Sequence, residues 1–282
     1  MRVSSLRCLS SGGFHRMAYT EWGPERSERT LVCVHGLGRN GRDFDVIAAA
    51  LADEGWRVVC PDVVGRGRSG RLVDPKRYAL PQYLSDMTAL LARLEVETVD
   101  WLGTSMGGLI GMQLAALADT PVDRLVLNDV GPFLPKAALE RIGSYVGEDP
   151  RFPDRRAAEA WLRKTYAPFG RLTDAQWAHL AEHSFVAAPE GGLALHYDPG
   201  IAVSFQEAPI RDVELWSVWD QIRRPTLVLR GAESDLLTEA TANEMTQRGP
   251  KPLVLTFPDC GHAPALMDDD QIRAVKGWLS ER

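Results

Sequence analysis

Short apolar runs alternate with segments of helical periodicity along most of the chain. Positions 3–9 and 14–21 alternate loosely around a Ser-Ser-Gly-Gly turn, which predicts an opening β-hairpin. Continuous apolar runs then predict strands buried on both faces at 31–34, 56–60, 99–102, 122–128, 225–231 and 253–257. Between these runs apolar residues recur at helical spacing, as at Phe44, Ile47, Ala48 and Leu51. This alternation predicts an α/β protein whose mostly parallel sheet is flanked by helices.

The alternation stops between residues 132 and 215. Three helices are predicted there, at 137–146, 155–166 and 174–185, with no run of comparable strand character between them. The segment is also rich in aromatic residues. We interpret it as a helical cap inserted over the functional edge of the sheet. The core domain would then comprise residues 1–131 and 216–282, with 132–215 as the cap.

Composition and charge narrow the classes of function. The chain has 282 residues, of which 45% are hydrophobic and 25% charged, with a net charge of −6. The acidic balance argues against nucleic acid as a partner, because no basic surplus is available to neutralise phosphates. No apolar run reaches the roughly 20 residues that span a bilayer, and no apolar core follows Met1, so we expect neither membrane association nor a secretory signal. Four cysteines without metal-ligand spacing indicate free thiols and a cytoplasmic protein. We expect a monomer or a homodimer.

The stretch from Val99 to Leu117 reads as a strand, a sharp turn and a buried helix. Ser105 lies at the apex of the turn, between Gly103 and Gly107. A residue in such a turn is held in a strained backbone conformation, and a Cβ two residues before or after it would collide across the turn. The pattern therefore predicts that Ser105 is a nucleophile.

A serine hydroxyl needs a base, and His262 is the best candidate among the six histidines. His262 follows the strand at 253–257, and loops after parallel strands meet at the carboxyl edge, where Ser105 also lies. His35 belongs to the turn after the strand at 31–34 and is expected to be a scaffold residue. The remaining histidines fall in the hairpin or the cap: His15, His179, His183 and His196.

The base in turn needs a carboxylate that fixes its tautomer and stabilises the imidazolium. Asp235 and Glu233 follow the strand at 225–231, and Asp129 follows the strand at 122–128. We prefer Asp235, because it lies deeper in its loop with apolar residues behind it, and we keep Asp129 as the alternative acid. The order Ser105, Asp235, His262 also matches one of the chain orders in which such triads occur.

An oxyanion formed at Ser105 needs hydrogen-bond donors. The backbone N–H of Met106 is one candidate, and that of Leu37, in the loop after the strand at 31–34, is the other. Side chains expected near a substrate pocket are Arg39, His35, Trp161 and Tyr166.

Five motifs carry a resemblance to a known family. HGLGRN, DVVGRGRSG, GTSMGG, LRGAESD and DCGHAP occur in the order found in the α/β-hydrolase superfamily, and the chain resembles that superfamily over nearly its whole length. The resemblance implies an eight-stranded sheet, a helical cap at about 132–215 and the triad Ser105, Asp235 and His262. Ser105 at the apex of the sharp turn argues against the epoxide hydrolases and haloalkane dehalogenases of this fold, which have Asp at that position.

The function implied is a serine hydrolase of small carboxylic esters that uses no metal or organic cofactor. The cap resembles those of esterases acting on short hydroxyacid esters or polyester oligomers. The same triad also serves hydrolases that cleave carbon–carbon bonds of ring-cleavage products, for which Arg39, Arg66 or Arg68 would bind an acid group. Haloperoxidase-like or lactonase-like activity, and a non-catalytic receptor or interaction module of this fold, are further alternatives.

Overall fold

The first part of the chain builds most of the central sheet. A computed structural model describes residues 1–206 and 209–281, so Glu207 and Ala208 of the predicted cap and Arg282 of the predicted core lie outside the described residues. The first elements are β1 (Arg2–Ser10), β2 (Gly13–Trp22), β3 (Thr30–Val34), α1 (Asp45–Ala52), β4 (Arg57–Pro61), α2 (Leu80–Leu94), β5 (Val99–Thr104), α3 (Met106–Ala115) and β6 (Val122–Asn128). Every strand predicted in this part is present, with ends that differ by at most a few residues.

The segment 132–215, called the insertion below, is mainly helical but is not without strands. Its elements are β7 (Phe133–Leu134), α4 (Lys136–Gly143), β8 (Arg151–Phe152), α5 (Arg155–Thr165), α6 (Asp174–Ser184), β9 (Phe185–Ala187), β10 (Leu193–Leu195), α7 (Val203–Gln206) and β11 (Val213–Glu214). Strands β8, β10 and β9 form a small sheet, and β7 pairs with β11. These strands have two or three residues, which is too short for an alternating pattern to show in the sequence. The division into a core domain and a cap stays a prediction.

The last part of the chain returns to the central sheet. It comprises α8 (Trp216–Trp219), β12 (Thr226–Gly231), α9 (Glu239–Met245), β13 (Leu253–Phe257) and α10 (Asp269–Ser280). Within the described residues the sheet has eight strands in the order β1-β2-β4-β3-β5-β6-β12-β13. The pairs β1–β2 and β2–β4 are antiparallel and the remaining pairs are parallel. The predicted eight-stranded, mostly parallel sheet is therefore confirmed.

Apolar layers cover both faces of the sheet. Along β3, Leu31 and Cys33 pack into one layer, whereas Val32 and Val34 pack into the other. The first layer contains the apolar faces of α1 and α10, and the second contains those of α2 and α3. Because successive strand residues point to opposite faces, a strand buried on both sides must be apolar throughout. This is why β3 could be recognised as a continuous apolar run.

The insertion is tied to the loops at the carboxyl edge of the sheet. Asn40 Nδ2 donates to the His183 carbonyl at 2.9 Å, and the Gly67 N–H donates to the His196 carbonyl at 2.8 Å. The backbones of Arg66 and Tyr197 form an isolated antiparallel bridge. These contacts place the insertion over the loops that follow β3 and β4.

Candidate active site

Ser105 occupies the tight turn between β5 and α3. Its backbone has φ 51° and ψ −115°, a strained conformation for a residue with a side chain. A Cβ on Gly103 would lie 2.2 Å from the Gly107 carbonyl oxygen, and a Cβ on Gly107 would lie 1.9 Å from that of Val34. Both positions thus exclude any side chain, and the turn projects the Ser105 hydroxyl from the carboxyl edge of the sheet.

A continuous hydrogen-bonded relay starts at Ser105. His262 Nε2 lies 3.0 Å from Ser105 Oγ, and His262 Nδ1 lies 2.8 Å from Asp129 Oδ2. When Nδ1–H donates to the carboxylate, Nε2 is left as the acceptor for the serine proton. The three side chains come from the loops after β5, β6 and β13, which meet at the same edge of the sheet.

The Asp129 carboxylate is held in place by two further donors from the loop that begins at the end of β12. The Gly231 N–H donates to Oδ1 at 2.8 Å, and Ser234 Oγ donates to Oδ2 at 2.5 Å. Asp129 is fully buried. These hydrogen bonds hold the Asp129 carboxylate in one orientation, with Oδ2 facing His262.

The preference for Asp235 as the acid is corrected by this geometry. Asp235 forms an ion pair with Arg141 of α4, with Oδ1 2.8 Å from Nη2. Partial burial acts to raise the pKa of Asp235, but the Arg141 guanidinium outweighs that effect and holds the pKa below its ordinary value. Strands β6 and β12 are neighbours, so the loops after both can reach His262, and Ser234 of the second loop serves Asp129 of the first. The alternative acid, Asp129, is the one that faces His262.

The two expected oxyanion donors lie beside Ser105. Met106 opens α3, Leu37 follows Gly36, and both residues line the cavity at Ser105. A Cβ on Gly36 would lie 3.6 Å from Ser105 Cβ, so the loop that carries Leu37 packs directly against the serine. Arg66 braces this loop from behind: Nε donates to the Leu37 carbonyl at 2.9 Å and Nη2 lies 3.8 Å from Met106 Sδ.

His35 is a scaffold residue. The Val63 N–H donates to its Nε2 at 2.9 Å, and Nδ1 lies 2.7 Å from the Gly36 carbonyl oxygen, so both ring nitrogens are engaged by backbone. Burial lowers the pKa of His35 to about 4, which keeps the ring neutral. These contacts fix the loop of Leu37 to the loop after β4.

A cavity of about 180 Å³ opens at Ser105 and His262, and most of its wall is apolar. Apolar residues that line it include Leu37, Met106, Leu109, Val130, Leu134, Leu139, Ile142, Val146, Phe169 and Leu236. Charged and hydroxyl-bearing groups in the lining include Arg39, Asp43, Arg141, Tyr145 and Tyr166. A mostly apolar cavity with a few polar groups beside a nucleophile is typical of a small-molecule site.

Of the four side chains expected in the pocket, the structure places Arg39 and Tyr166 in the lining. The expectation for His35 and Trp161 is corrected. His35 is sealed behind the loop of Leu37, and Trp161 packs within the insertion against Phe152, at a ring-centroid distance of 5.7 Å. Arg66 and Arg68 do not line the cavity either, since Arg66 is buried behind the loop and Arg68 pairs with Asp62.

Among the residues that the sequence analysis did not identify are two that support the relay, Asn128 and Ser234, and the pocket residue Arg141. Asn128 Nδ2 donates to Thr104 Oγ1 at 3.0 Å and to the Pro264 carbonyl at 2.9 Å, which joins the serine strand to the histidine loop. Ser234 fixes Asp129, and Arg141 lines the cavity from the insertion. Asn128 and Ser234 each lie next to a candidate acid in the sequence, and this position was the signal that could have identified them. No sequence pattern pointed to Arg141.

Two clusters of potential metal ligands lie outside the cavity. Within the described residues these are Cys8 with His15 and Asp86, and Asp45 with His179 and His183. Protein donors already engage the carboxylates: His15 Nε2 lies 2.8 Å from Asp86 Oδ2, and Arg42 Nε lies 2.8 Å from Asp45 Oδ2. Neither cluster is part of the relay at Ser105.

A model of the α/β-hydrolase fold family matches residues 29–269. The chain belongs to the α/β-hydrolase fold family. A 3-hydroxybutyrate-oligomer hydrolase of Cupriavidus necator is 49% identical to this α/β hydrolase over 281 residues, which cover 96% of this chain and 95% of that protein. The resemblance and the prediction of an esterase-type hydrolase are thereby confirmed.

Solved structures of other α/β hydrolases are similar over the whole length. A hydrolase from Rickettsia typhi has a TM-score of 0.94 and 32% identity, with 100% of both chains covered. An α/β hydrolase from Novosphingobium aromaticivorans has a TM-score of 0.87 and 37% identity, with 98% of each chain covered. Among the described residues of this α/β hydrolase, none of the helices is long and apolar enough to cross a membrane.

Proposed function

We propose that this α/β hydrolase cleaves esters of short 3-hydroxy acid oligomers through an acyl-enzyme on Ser105. One observation carries the proposal: Ser105, His262 and Asp129 form a hydrogen-bonded relay at the mouth of a mostly apolar cavity. The full-length similarity to a 3-hydroxybutyrate-oligomer hydrolase supports the substrate class. A small cavity with apolar walls suits short aliphatic acyl and alkoxy groups.

The first half of the reaction transfers the acyl group to the enzyme. Ser105 Oγ attacks the ester carbonyl carbon while His262 Nε2 takes the hydroxyl proton, and Asp129 stabilises the resulting imidazolium. The amides of Leu37 and Met106 donate to the negative oxygen of the tetrahedral intermediate. Each such donor is worth about 3 kcal/mol of barrier when removed. His262 then protonates the departing alkoxide, and the C–O bond to the alcohol part breaks.

The second half restores the enzyme. Water attacks the acyl carbon and gives its proton to His262, and a second tetrahedral intermediate forms in the same oxyanion site. His262 returns the proton to Ser105 Oγ as the acyl–serine bond breaks. The products are a carboxylic acid and a hydroxy acid or shorter oligomer, with one water consumed.

We further propose that the protein acts in the cytoplasm. All four cysteines are free and buried, which suits a reducing compartment.

The experiment combines a burst assay with a natural-type substrate. When the enzyme is mixed with an excess of p-nitrophenyl butyrate, a burst of p-nitrophenol equal to the enzyme concentration should be released. In a second assay the 3-hydroxybutyrate dimer should be converted to monomer. Ser105→Ala should abolish both reactions, whereas Ser280→Ala, whose hydroxyl bonds only within α10, should keep both. Retention of most activity in Ser105→Ala, or turnover of a ring-cleavage dienoate in preference to esters, would overturn the proposal.

A further inference from the structure

Arg141 joins the insertion to the core at the wall of the cavity. It lies on α4, lines the cavity, and forms a two-pronged ion pair with Asp235 of the loop after β12. Asp235 is not part of the relay and does not itself line the cavity. Arg141 is therefore a positively charged residue of the cavity lining whose counter-ion is not a lining residue.

A second arginine of the lining, Arg39, is buried and paired with a carboxylate that also belongs to the lining. Arg39 donates to both oxygens of Asp43 at 2.6 and 2.9 Å and to Ser184 Oγ at 2.8 Å. Its guanidinium carbon also lies 4.8 Å from the centre of the Tyr166 ring, and only 6% of the residue is exposed. The charge of Arg39 is thus neutralised by Asp43 within the lining itself.

Arg141 and its carboxylate partner are both more exposed to solvent than Arg39 and Asp43. Its side chain is 34% exposed and that of Asp235 is 46% exposed. An ion pair this open to solvent is worth at most about 1 kcal/mol, so a competing carboxylate can share or replace Asp235 at little cost. The pair also uses two of the five N–H donors of the guanidinium, which leaves others for a ligand.

Tyr145 adds a second donor one helical turn further along the chain. It lines the cavity too, and it lies close enough to Arg141 for the guanidinium to act on the phenol electrostatically. Burial raises the pKa of Tyr145, so the phenol keeps its proton at neutral pH and can donate. A guanidinium beside a phenol in an otherwise apolar wall is a suitable site for a carboxylate.

We propose that Arg141 and Tyr145 bind the free carboxylate end of the substrate, with Asp235 holding the guanidinium in position when the cavity is empty. This inference rests on the proposed function, because the proposed substrate supplies the ligand. An oligomer of hydroxy acids has one terminal carboxylate and otherwise neutral ester groups. The enzyme should therefore prefer oligomers with a free acid end to the same oligomers with that end esterified.

The test compares two substrates that differ only at that end: the 3-hydroxybutyrate dimer as the free acid and as its methyl ester. The wild type should show a KM for the acid about tenfold or more below that for the methyl ester, as expected for one charge-assisted contact. Arg141→Gln should raise the KM of the acid by about the same factor and change that of the methyl ester far less. Arg141→Lys should recover part of the preference.

Lys136→Gln is the matched control, because Lys136 lies on the same helix, is exposed, and pairs only with Glu140. It should keep the preference of the wild type. An equal KM for both substrates in the wild type, or an equal loss for both in Arg141→Gln, would overturn the carboxylate site and leave the esterase proposal standing. Failure of the wild type to hydrolyse either substrate would instead overturn the proposed function. Turnover of the methyl ester reports whether Arg141→Gln is folded.

Discussion

Asp129 Oδ2 lies 2.8 Å from His262 Nδ1, although the two residues are 133 positions apart in the chain. The contact joins the loop after β6 to the loop after β13, across the neighbouring strand β12. Because β12 separates the two strands, its own loop lies between them and supplies Ser234 as a support for the carboxylate. The acid of the proposed triad therefore comes from β6, and Asp235 is free to pair with the insertion.

Removal of the Ser234 hydroxyl should slow catalysis without weakening substrate binding. Ser234 Oγ donates to the same Asp129 oxygen that faces His262, so Ser234→Ala loosens the carboxylate and the imidazole behind it. We expect kcat to fall about tenfold, since a hydrogen bond to a charged group is lost, and KM to stay close to that of the wild type. Steady-state kinetics with p-nitrophenyl butyrate measures both, with Ser280→Ala as the control. A kcat equal to that of the control would refute the supporting role.

Gly107 should not tolerate even a methyl group. In Gly107→Ala the new Cβ would lie 1.9 Å from the Val34 carbonyl oxygen, which belongs to the backbone of the buried strand β3. We expect a loss of at least about 3 kcal/mol in the free energy of unfolding, measured by urea denaturation.

Gly277→Ala is the matched control for that substitution. Gly277 lies within α10 and a Cβ there would meet nothing within 4 Å. Alanine should stabilise this helix by up to about 1 kcal/mol. If the two substitutions had the same effect on unfolding, the steric account of the turn at Ser105 would fail.

The sequence predicted the sheet and the tight turn at Ser105 well because each depends on a local pattern. Continuous apolar runs marked β3 and β12, and the spacing of Gly103, Ser105 and Gly107 follows from contacts within one turn. The choice between Asp129 and Asp235 could not be made in this way. It depends on which of two neighbouring loops turns toward His262, and on Arg141, a residue 94 positions from Asp235 that binds it.

The pocket side chains illustrate the same limit. Arg39 and Tyr166 lie in the cavity wall, whereas Trp161 turns into the interior of the insertion and packs against Phe152 and Phe185. All are plausible pocket residues by type. The positions of Trp161 and Tyr166 depend on how α5 packs on α6 and on the small sheet of β8, β9 and β10. No periodic pattern in the sequence distinguishes an aromatic side chain that packs inside the insertion from one that faces the cavity.

Stability should fall below neutral pH because of buried neutral histidines. Burial lowers the pKa of His35 to about 4, and burial together with Arg42 lowers that of His183 to about 4, against 6.5 for an exposed ring. Between these values the unfolded chain binds protons that the folded protein does not. The stability is therefore complete above about pH 6.5 and is lost as the pH falls toward 4, by about 1.4 kcal/mol per pH unit for each residue.

The slope of unfolding free energy against pH measures this effect. His35→Gln should be less stable than the wild type at pH 7, because a buried ring is lost, but its slope between pH 4 and 6.5 should be smaller by about 1.4 kcal/mol per unit. The remaining slope in the variant would include the contribution of His183. A slope identical to that of the wild type would show that His35 is protonated in the folded state.

The most direct test of the whole account compares Asp129→Asn with Asp235→Asn in the hydrolysis of p-nitrophenyl butyrate, a neutral ester. Asn at 129 removes the charge that orients His262, and kcat should fall by about 10³ to 10⁴. Asn at 235 breaks only the ion pair with Arg141, and kcat should fall by less than about tenfold. Equal thermal unfolding midpoints would show that both variants are folded. A kcat that collapses in Asp235→Asn and survives in Asp129→Asn would contradict the account.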